Sequence, residues 1–195
     1  MKKLIDKLNR DKRLTKEEWV ELIENYEEVF DYAIDEAYAI KNEVFGNSVY
    51  IRGLIEISNY CKNDCLYCGI RKSNKNADRY RLSKEEIMSC VHEGYKLGFR
   101  TFVMQGGEDA HFTDERLEDI IKEIKGFYPD SAVTLSLGER TKESYQRLYD
   151  AGADRYLLRH ETANEEHYKK LHPEEMSLKN RKQCLYNLKD LGYQV

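Results

Sequence analysis

Residues 132–161, AVTLSLGERTKESYQRLYDAGADRYLLRHE, decide the fold. The stretch opens on AVTLSL (132–137), whose residues alternate Val133, Leu135 and Leu137 against Thr134 and Ser136, the two-residue period of a strand. From Thr141 to about Ala151 the apolar residues recur at helical spacing. RYLLRHE (155–161) then returns to a two-residue period, Tyr156, Leu158 and His160 opposite Arg155, Leu157, Arg159 and Glu161. A strand, a helix and a second strand within thirty residues imply a right-handed crossover and parallel pairing.

Upstream the same unit recurs. VYIRGLIEIS (49–58) and TFVMQ (101–105) predict strands. Ser83-Lys-Glu-Glu86 is a capping box opening a helix whose face carries Ile87, Cys90, Val91, Gly94 and Tyr95. A further helix carries Leu117, Ile120, Ile121, Ile124 and Phe127 at helical spacing. Downstream, Asn164–Leu171 predicts a short helix stopped before Pro173. Ser177 to Leu191 predicts a longer one, closed by Gly192, and Tyr193-Gln-Val195 reads as the start of another strand. The first 46 residues are helical instead: Thr15-Lys-Glu-Glu18 is a second capping box, and an amphipathic stretch runs from about Val29 to Phe45. The expected organisation is an N-terminal helical segment, 1–46, followed by an α/β core, 47–195.

The chain has 195 residues, 41% hydrophobic and 35% charged, enough apolar material for a packed core. A formal net charge of −4 argues against general nucleic-acid binding. No window approaches the roughly 18 consecutive apolar residues of a membrane span. The first 19 residues never reach an apolar stretch of the signal-peptide type, so the expected location is the cytoplasm. In that setting five cysteines, three of them within eight residues, read as metal or cluster ligands before they read as disulfides.

Each strand has one apolar face and one that carries polar groups. Glu56 and Ser58 oppose Ile55 and Ile57, and Gln105 opposes Phe102 and Met104. A sheet covered by helices on both sides would be apolar on both. The pattern fits a curved sheet with helices outside and a polar lumen. The alternative is a set of internal ion pairs, Glu56 with Arg155 or Arg159. Ser58, Gln105, Ser136 and Glu161 fall at or near the C-terminal ends of their strands, the rim where βα barrels bind ligands. Arg181, in the first turns of the helix after Ser177, stands beside that rim and suits an anion. Its alternative is an arginine whose stem packs while its head reaches water.

Cys61-Lys-Asn-Asp-Cys65-Leu-Tyr-Cys68 is C-x3-C-x2-C in the loop after the first strand. Three thiolates on one loop can hold three irons of a cubane cluster and leave the fourth iron open. A structural zinc site needs a fourth ligand, and no second cysteine pair exists. The ferredoxin spacing is absent as well. Cys90 and Cys184 sit on apolar helix faces and are expected in the core.

This cysteine spacing, with Tyr67 just before the last cysteine, resembles the signature of the radical S-adenosylmethionine (radical SAM) superfamily. Gln105-Gly106-Gly107-Glu108-Asp109 resembles the family's Gly-Gly-Glu turn after strand two, whose glycines let backbone approach a ligand. YCGIRKSNKNADRYRLS (67–83), TLSLGE (134–139) and DRYLLRHETAN (154–164) are similar to the branch of the family that holds the [FeFe]-hydrogenase maturases, biotin synthase and methylornithine synthase.

The resemblance implies a partial TIM-type (βα) barrel, ending after about the fourth βα unit where family barrels have six or more. It implies a [4Fe-4S] cluster on Cys61, Cys65 and Cys68. It also implies S-adenosylmethionine contacts at Tyr67, Gln105, Gly106, Gly107, Ser136, Glu161 and Arg181, with Arg181 taking the carboxylate. Thr134 and Arg159 would line a substrate cavity. No side chain is itself read as catalytic: the cofactors would supply reductive cleavage to a 5′-deoxyadenosyl radical. The implied role is anaerobic assembly of the hydrogenase H-cluster from a small-molecule or iron-complex substrate. Its implied partners are a one-electron donor such as ferredoxin or flavodoxin and the other maturases. A biotin synthase- or methylornithine synthase-like enzyme and a non-catalytic cluster-binding fragment are the alternatives.

Overall fold

The computed structural model describes residues 1–195. It divides into two compact units, Met1–Tyr50 and Ile51–Val195; the sequence places the boundary four residues earlier. The first unit holds α1 (Lys2–Asp11), α2 (Lys16–Glu24) and α3 (Phe30–Phe45). Thr15 and Glu18 form the reciprocal capping box, each side chain bonded to the other's backbone N–H. Leu22 and Val29 are its buried hydrophobic residues.

The second unit is a four-stranded parallel sheet in the order β1 (Gly53–Ser58), β2 (Thr101–Gly106), β3 (Ala132–Ser136), β4 (Arg155–Tyr156). Between and after the strands lie α4 (Lys84–Lys96), α5 (Asp114–Phe127), α6 (Lys142–Asp150), α7 (Glu165–Leu171) and α8 (Leu178–Asp190). Helices α4, α5, α6 and α8 start at Ser83, Thr113, Thr141 and Ser177, whose side chains each accept a backbone N–H three residues on.

One face of the sheet carries Ile55, Ile57, Phe102, Met104, Val133, Leu135 and Tyr156. They form a continuous core with Ile87 and Val91 of α4, Leu117, Ile121 and Ile124 of α5, Tyr145 and Leu148 of α6, and Leu188 of α8. Burying a side chain of this size stabilises by about 1.5–3 kcal/mol each. Register then fixes the opposite face. Glu56 pairs with Gln105 and Gln105 with Ser136; Val103 pairs with Thr134 and Thr134 with Arg155. The two faces divide as the alternation predicts, and the fold is the parallel α/β arrangement of a partial barrel.

Four expectations need correction. The first strand begins at Gly53, not at Val49. The fourth runs over Arg155–Tyr156 alone rather than to Glu161. Leu157 still donates to Leu135 O at 2.8 Å, but on the outer side Tyr156 meets only Gln194 O, at 3.0 Å. Beyond Leu157 no further ladder bond forms on either flank, the chain leaves the sheet, and Glu161 adopts a left-handed φ of 61°. Cys90 is exposed, since the buried stripe of α4 runs through Ile87, Met88 and Val91. Phe127 is exposed too, at the last residue of α5 beyond its buried face. Cys184 is buried as expected. The internal ion pairs do not form: Glu56 accepts from Gln105 Nε2 at 3.3 Å, while Arg155 donates to Gln194 and Thr101.

Candidate functional site

The three cysteines lie in an irregular loop held from three directions. Lys62 N donates to Glu108 O at 3.0 Å, tying the loop to the turn after β2. Leu66 N donates to Leu171 O at 2.9 Å, tying it to the end of α7, and Lys72 N donates to Asn63 O at 2.9 Å. Inside the loop Cys68 N donates to Cys65 O and Arg71 N to Cys68 O. Arg79 closes the far side: its guanidinium donates to the carbonyls of Asn59, Ile70, Arg71 and Asn74. Four carbonyls on one cation hold the chain on both sides of the cysteines.

One glycine of the Gly-Gly-Glu turn is also required by packing. A Cβ on Gly107 would lie 2.2 Å from Tyr60 O and 2.7 Å from Cys61 Cβ. The missing side chain therefore admits the cysteine loop. Gly106 does face the cleft described below. Glu108 then crosses to the next strand. Its Oε2 lies 3.1 Å from Lys62 Nζ and its Oε1 accepts from Glu139 N at 3.0 Å. Gly138, at φ 75°, gives Glu108 room, because a Cβ there would stand 2.1 Å from Glu108 Cγ. Asp109 completes the turn, accepting from Ser58 Oγ at 2.6 Å and from Arg81 Nε and Nη2 at 2.7 and 2.9 Å. Burial would raise the Asp109 carboxyl, but Arg81 and Ser58 outweigh it and hold its pKa down at about 2.

Above the strand ends is a cleft of about 270 Å³. It brings together Tyr67, Cys68, Gln105, Gly106, Ser136, Arg159, Glu161 and Arg181. Cys61, Cys65 and Gly107 stand outside its lining, and Thr134 faces a second, more open cavity of about 700 Å³ shared with Arg159 and Glu161. Thr134 is 3% exposed and its hydroxyl has no hydrogen-bond partner.

Arg181 is 7% exposed, against the reading of a head in water. Its Nε lies 2.9 Å from Glu139 Oε1, yet neither atom completes a hydrogen bond. Burial works against the charge, but the neighbouring Tyr168 hydroxyl and the Glu139 carboxylate hold the guanidinium above its ordinary pKa. The Tyr168 hydroxyl is itself buried without a hydrogen-bond partner. A buried cation whose Nε lacks a hydrogen bond, beside a second unsatisfied donor, is an arrangement an anionic ligand would complete.

Tyr67 is positioned by His172, whose Nε2 lies 3.1 Å from the Tyr67 hydroxyl. His172 stacks on Tyr168 with centroids 3.8 Å apart, and its Nδ1 lies 3.0 Å from Tyr168 O. A donor at Nδ1 leaves Nε2 to accept from Tyr67. Glu139, Tyr168, His172 and Arg79 escaped the reading of the sequence. Only Arg79 carried a trace, in the basic run 71–81.

The cysteines are each half-buried. Burial raises the Cys65 thiol; Cys61 and Cys68 raise it further, and Tyr67 and Arg181 oppose them. Cys65 thus senses the other two thiols, a repulsion that bound iron would relieve. No three His, Cys, Asp or Glu side chains close around a single ion. The three half-buried thiols on one loop are the donors a cubane would take, one cysteine to each of three irons.

A family model described as the Radical SAM superfamily matches residues 55–195. The chain is 43% identical over all its 195 residues to the "[FeFe] hydrogenase maturase subunit HydE" of Thermotoga maritima, of which it covers 55%. The solved structure of methylornithine synthase (PylB) superposes with a TM-score of 0.87 at 26% identity, covering 97% of this chain and 56% of that one. HydG, a maturase of the [FeFe]-hydrogenase, superposes with a TM-score of 0.84 at 28% identity, covering 97% of this chain and 44% of that one. The chain spans about half the length of the relatives it matches.

Proposed function

We propose, for a chain that belongs to the radical SAM superfamily, that it serves reductive cleavage of S-adenosylmethionine in maturation of the [FeFe]-hydrogenase. Members of that superfamily use a [4Fe-4S] cluster and S-adenosylmethionine. One observation carries the reading: the cleft is walled by Cys68 and Tyr67 of the cysteine loop on one side and by Ser136, Glu161 and Arg181 on the other. A ligand seated there touches the loop and the strand ends together.

When bound, the two cofactors supply a one-electron cleavage of the sulfonium bond, giving methionine and a 5′-deoxyadenosyl radical. The chain's own part is to bind, orient and exclude water. Cys61, Cys65 and Cys68 hold the cluster and leave one iron without a protein ligand. Arg181 takes a carboxylate, offsetting its burial. Ser136 and Glu161 suit hydroxyl or amino groups, Gln105 and Gly106 meet the methionyl end, and Tyr67 offers a ring edge fixed by His172. Thr134 and Arg159 face the substrate, a small molecule or iron complex of the H-cluster pathway. Partners are a one-electron donor of the ferredoxin or flavodoxin class and the other maturases, in the cytoplasm. The likeness to methylornithine synthase supports a second reading, an enzyme acting on a small organic substrate.

The test is anaerobic reconstitution. The protein should take up about four irons and four sulfides and release 5′-deoxyadenosine on reduction. Cys61→Ala, Cys65→Ala or Cys68→Ala should abolish both, and Cys90→Ala neither. Full cluster retention in Cys65→Ala would overturn the ligand set. Processing of a methylornithine precursor without effect on hydrogenase activation would favour the second reading.

A further inference from the structure

The segment 61–82 holds six cations and two carboxylates, in a chain whose formal net charge is −4. Three of these cations work inside the fold. Lys62 pairs with Glu108, Arg81 with Asp109, and Arg79 clamps four carbonyls. The other three, Arg71, Lys72 and Lys75, enter no ion pair. Lys72 and Lys75 are exposed and Arg71 is half-buried. Of the two acids on the segment, Asp64 accepts from Ser73 N at 3.0 Å and Asp78 enters no ion pair.

These cations are fastened to the cysteines. Arg71 N donates to Cys68 O, and Lys72 N donates to Asn63 O two residues before Cys65. Between the cysteines Leu66 is 62% exposed, although its backbone is tied to Leu171. An exposed apolar residue and unpaired cations on one loop, kept in place by its hydrogen bonds, have the makeup of a small transient interface. A second positive surplus lies on residues 1–16, with seven cations and two carboxylates, but no cysteine is on that segment. Charge makes both segments attractive to an acidic protein, and the hydrogen bonds that fasten Arg71 and Lys72 to the cysteine loop single out this one.

We infer that Leu66, Arg71, Lys72 and Lys75 form the docking surface for an acidic one-electron carrier protein, which meets the chain directly over the cysteine loop. The inference rests on the proposed cluster and supplies what that reading requires, a route for an electron. Electron transfer weakens steeply with separation, and this loop is the stretch of surface covalently continuous with the ligands. A nucleic acid would also seek cations, but the net charge of −4 and the small size of the patch oppose it.

The experiment compares Lys72→Glu/Lys75→Glu with Lys142→Glu/Lys189→Glu, which makes the same change in net charge on α6 and α8. Association with a flavodoxin and with a ferredoxin is measured on the unreconstituted chain across a salt series. Reduction of the reconstituted cluster is followed by absorbance and EPR, with reduced flavodoxin and separately with dithionite. At low salt the loop variant should associate with at least one carrier, and accept its electrons, about tenfold or more slowly, while the control pair changes less than about twofold. The gap should close towards about 0.5 M salt, where screening is short-ranged. Dithionite reduction should be equal in all three proteins. Equal losses in both variants, a wild-type rate without salt dependence, no association with either carrier, or loss of oligonucleotide binding alone would each overturn the docking surface. A wild-type chain with no dithionite-reducible cluster would overturn the underlying reading instead, and the association data on unreconstituted chain would still report on the surface.

Discussion

The cysteine loop, 59–82, and the segment 157–164 are both irregular, and both line the cleft. They are held very differently. The first is bonded to the turn after β2, to α7 and to itself, with Arg79 across its mouth. The second leaves the sheet after one bond from Leu157 to Leu135, and Thr162 N closes only a local turn on His160 O at 2.7 Å. Irregular backbone keeps a defined position in proportion to the partners its polar groups find outside the segment. The cleft therefore has one wall built from within and one wall, carrying Arg159 and Glu161, that rests on few bonds.

The largest effect should come from Gly107→Val. Its side chain would meet the Tyr60 carbonyl and Cys61, both short of van der Waals contact, so the turn and the loop cannot keep their places. Iron uptake should fall to background and stability by about 1–3 kcal/mol or more, read by iron assay and denaturant titration. Normal loading would break the claim that the loop wall is preset by this contact.

Arg79→Ala comes next. It removes charged hydrogen bonds worth about 1.5–3 kcal/mol. Amide hydrogen exchange should rise over 59–74 and stay unchanged in β2 and β3. Arg181→Ala should weaken S-adenosylmethionine binding by about 1.5–3 kcal/mol and leave the cluster signal intact; unchanged affinity would mean that Arg181 serves only Glu139.

Asp109 gives the comparison a pH dependence. Its folded pKa, about 2, lies below the unfolded value of about 3.9. The stability it contributes is therefore present above pH ~4 and is lost as pH falls through about 2. Asp109→Asn should flatten that part of the acid-unfolding curve, and an unchanged curve would show that the Arg81 clasp does not hold the loop. Glu161→Gln should have the smallest effect, within about 1 kcal/mol on ligand binding, because Glu161 makes no side-chain hydrogen bond and stands exposed on the weaker wall.

Most of the sheet was legible in the chain. Two-residue alternation marked β1, β2 and β3, and the capping residues marked the helices that follow them. The cysteine spacing and the Gln105-Gly106-Gly107-Glu108 turn pointed to one end of that sheet. The misses share a cause. Residues 155–161 alternate like a strand, yet alternation states which face a residue would occupy and not how far the ladder runs, which here stops at Leu157. Cys90 satisfies a loose helical spacing, but the width of the buried stripe is set by what packs against α4. Gly107 reads as room for a ligand, and only the fold shows that Tyr60 needs the same room.

The sequence by itself determined the order of strands and helices, the division of each strand into an apolar and a polar face, and the presence of three thiols on one loop. These follow from local periodicity and chain chemistry, which act over a few residues. Only the tertiary structure decided that Arg181 meets Glu139, that His172 holds Tyr67, and that Arg79 closes the cysteine loop. Those pairs depend on crossovers that bring distant segments together, and a buried charge takes whichever partner the packing leaves within reach.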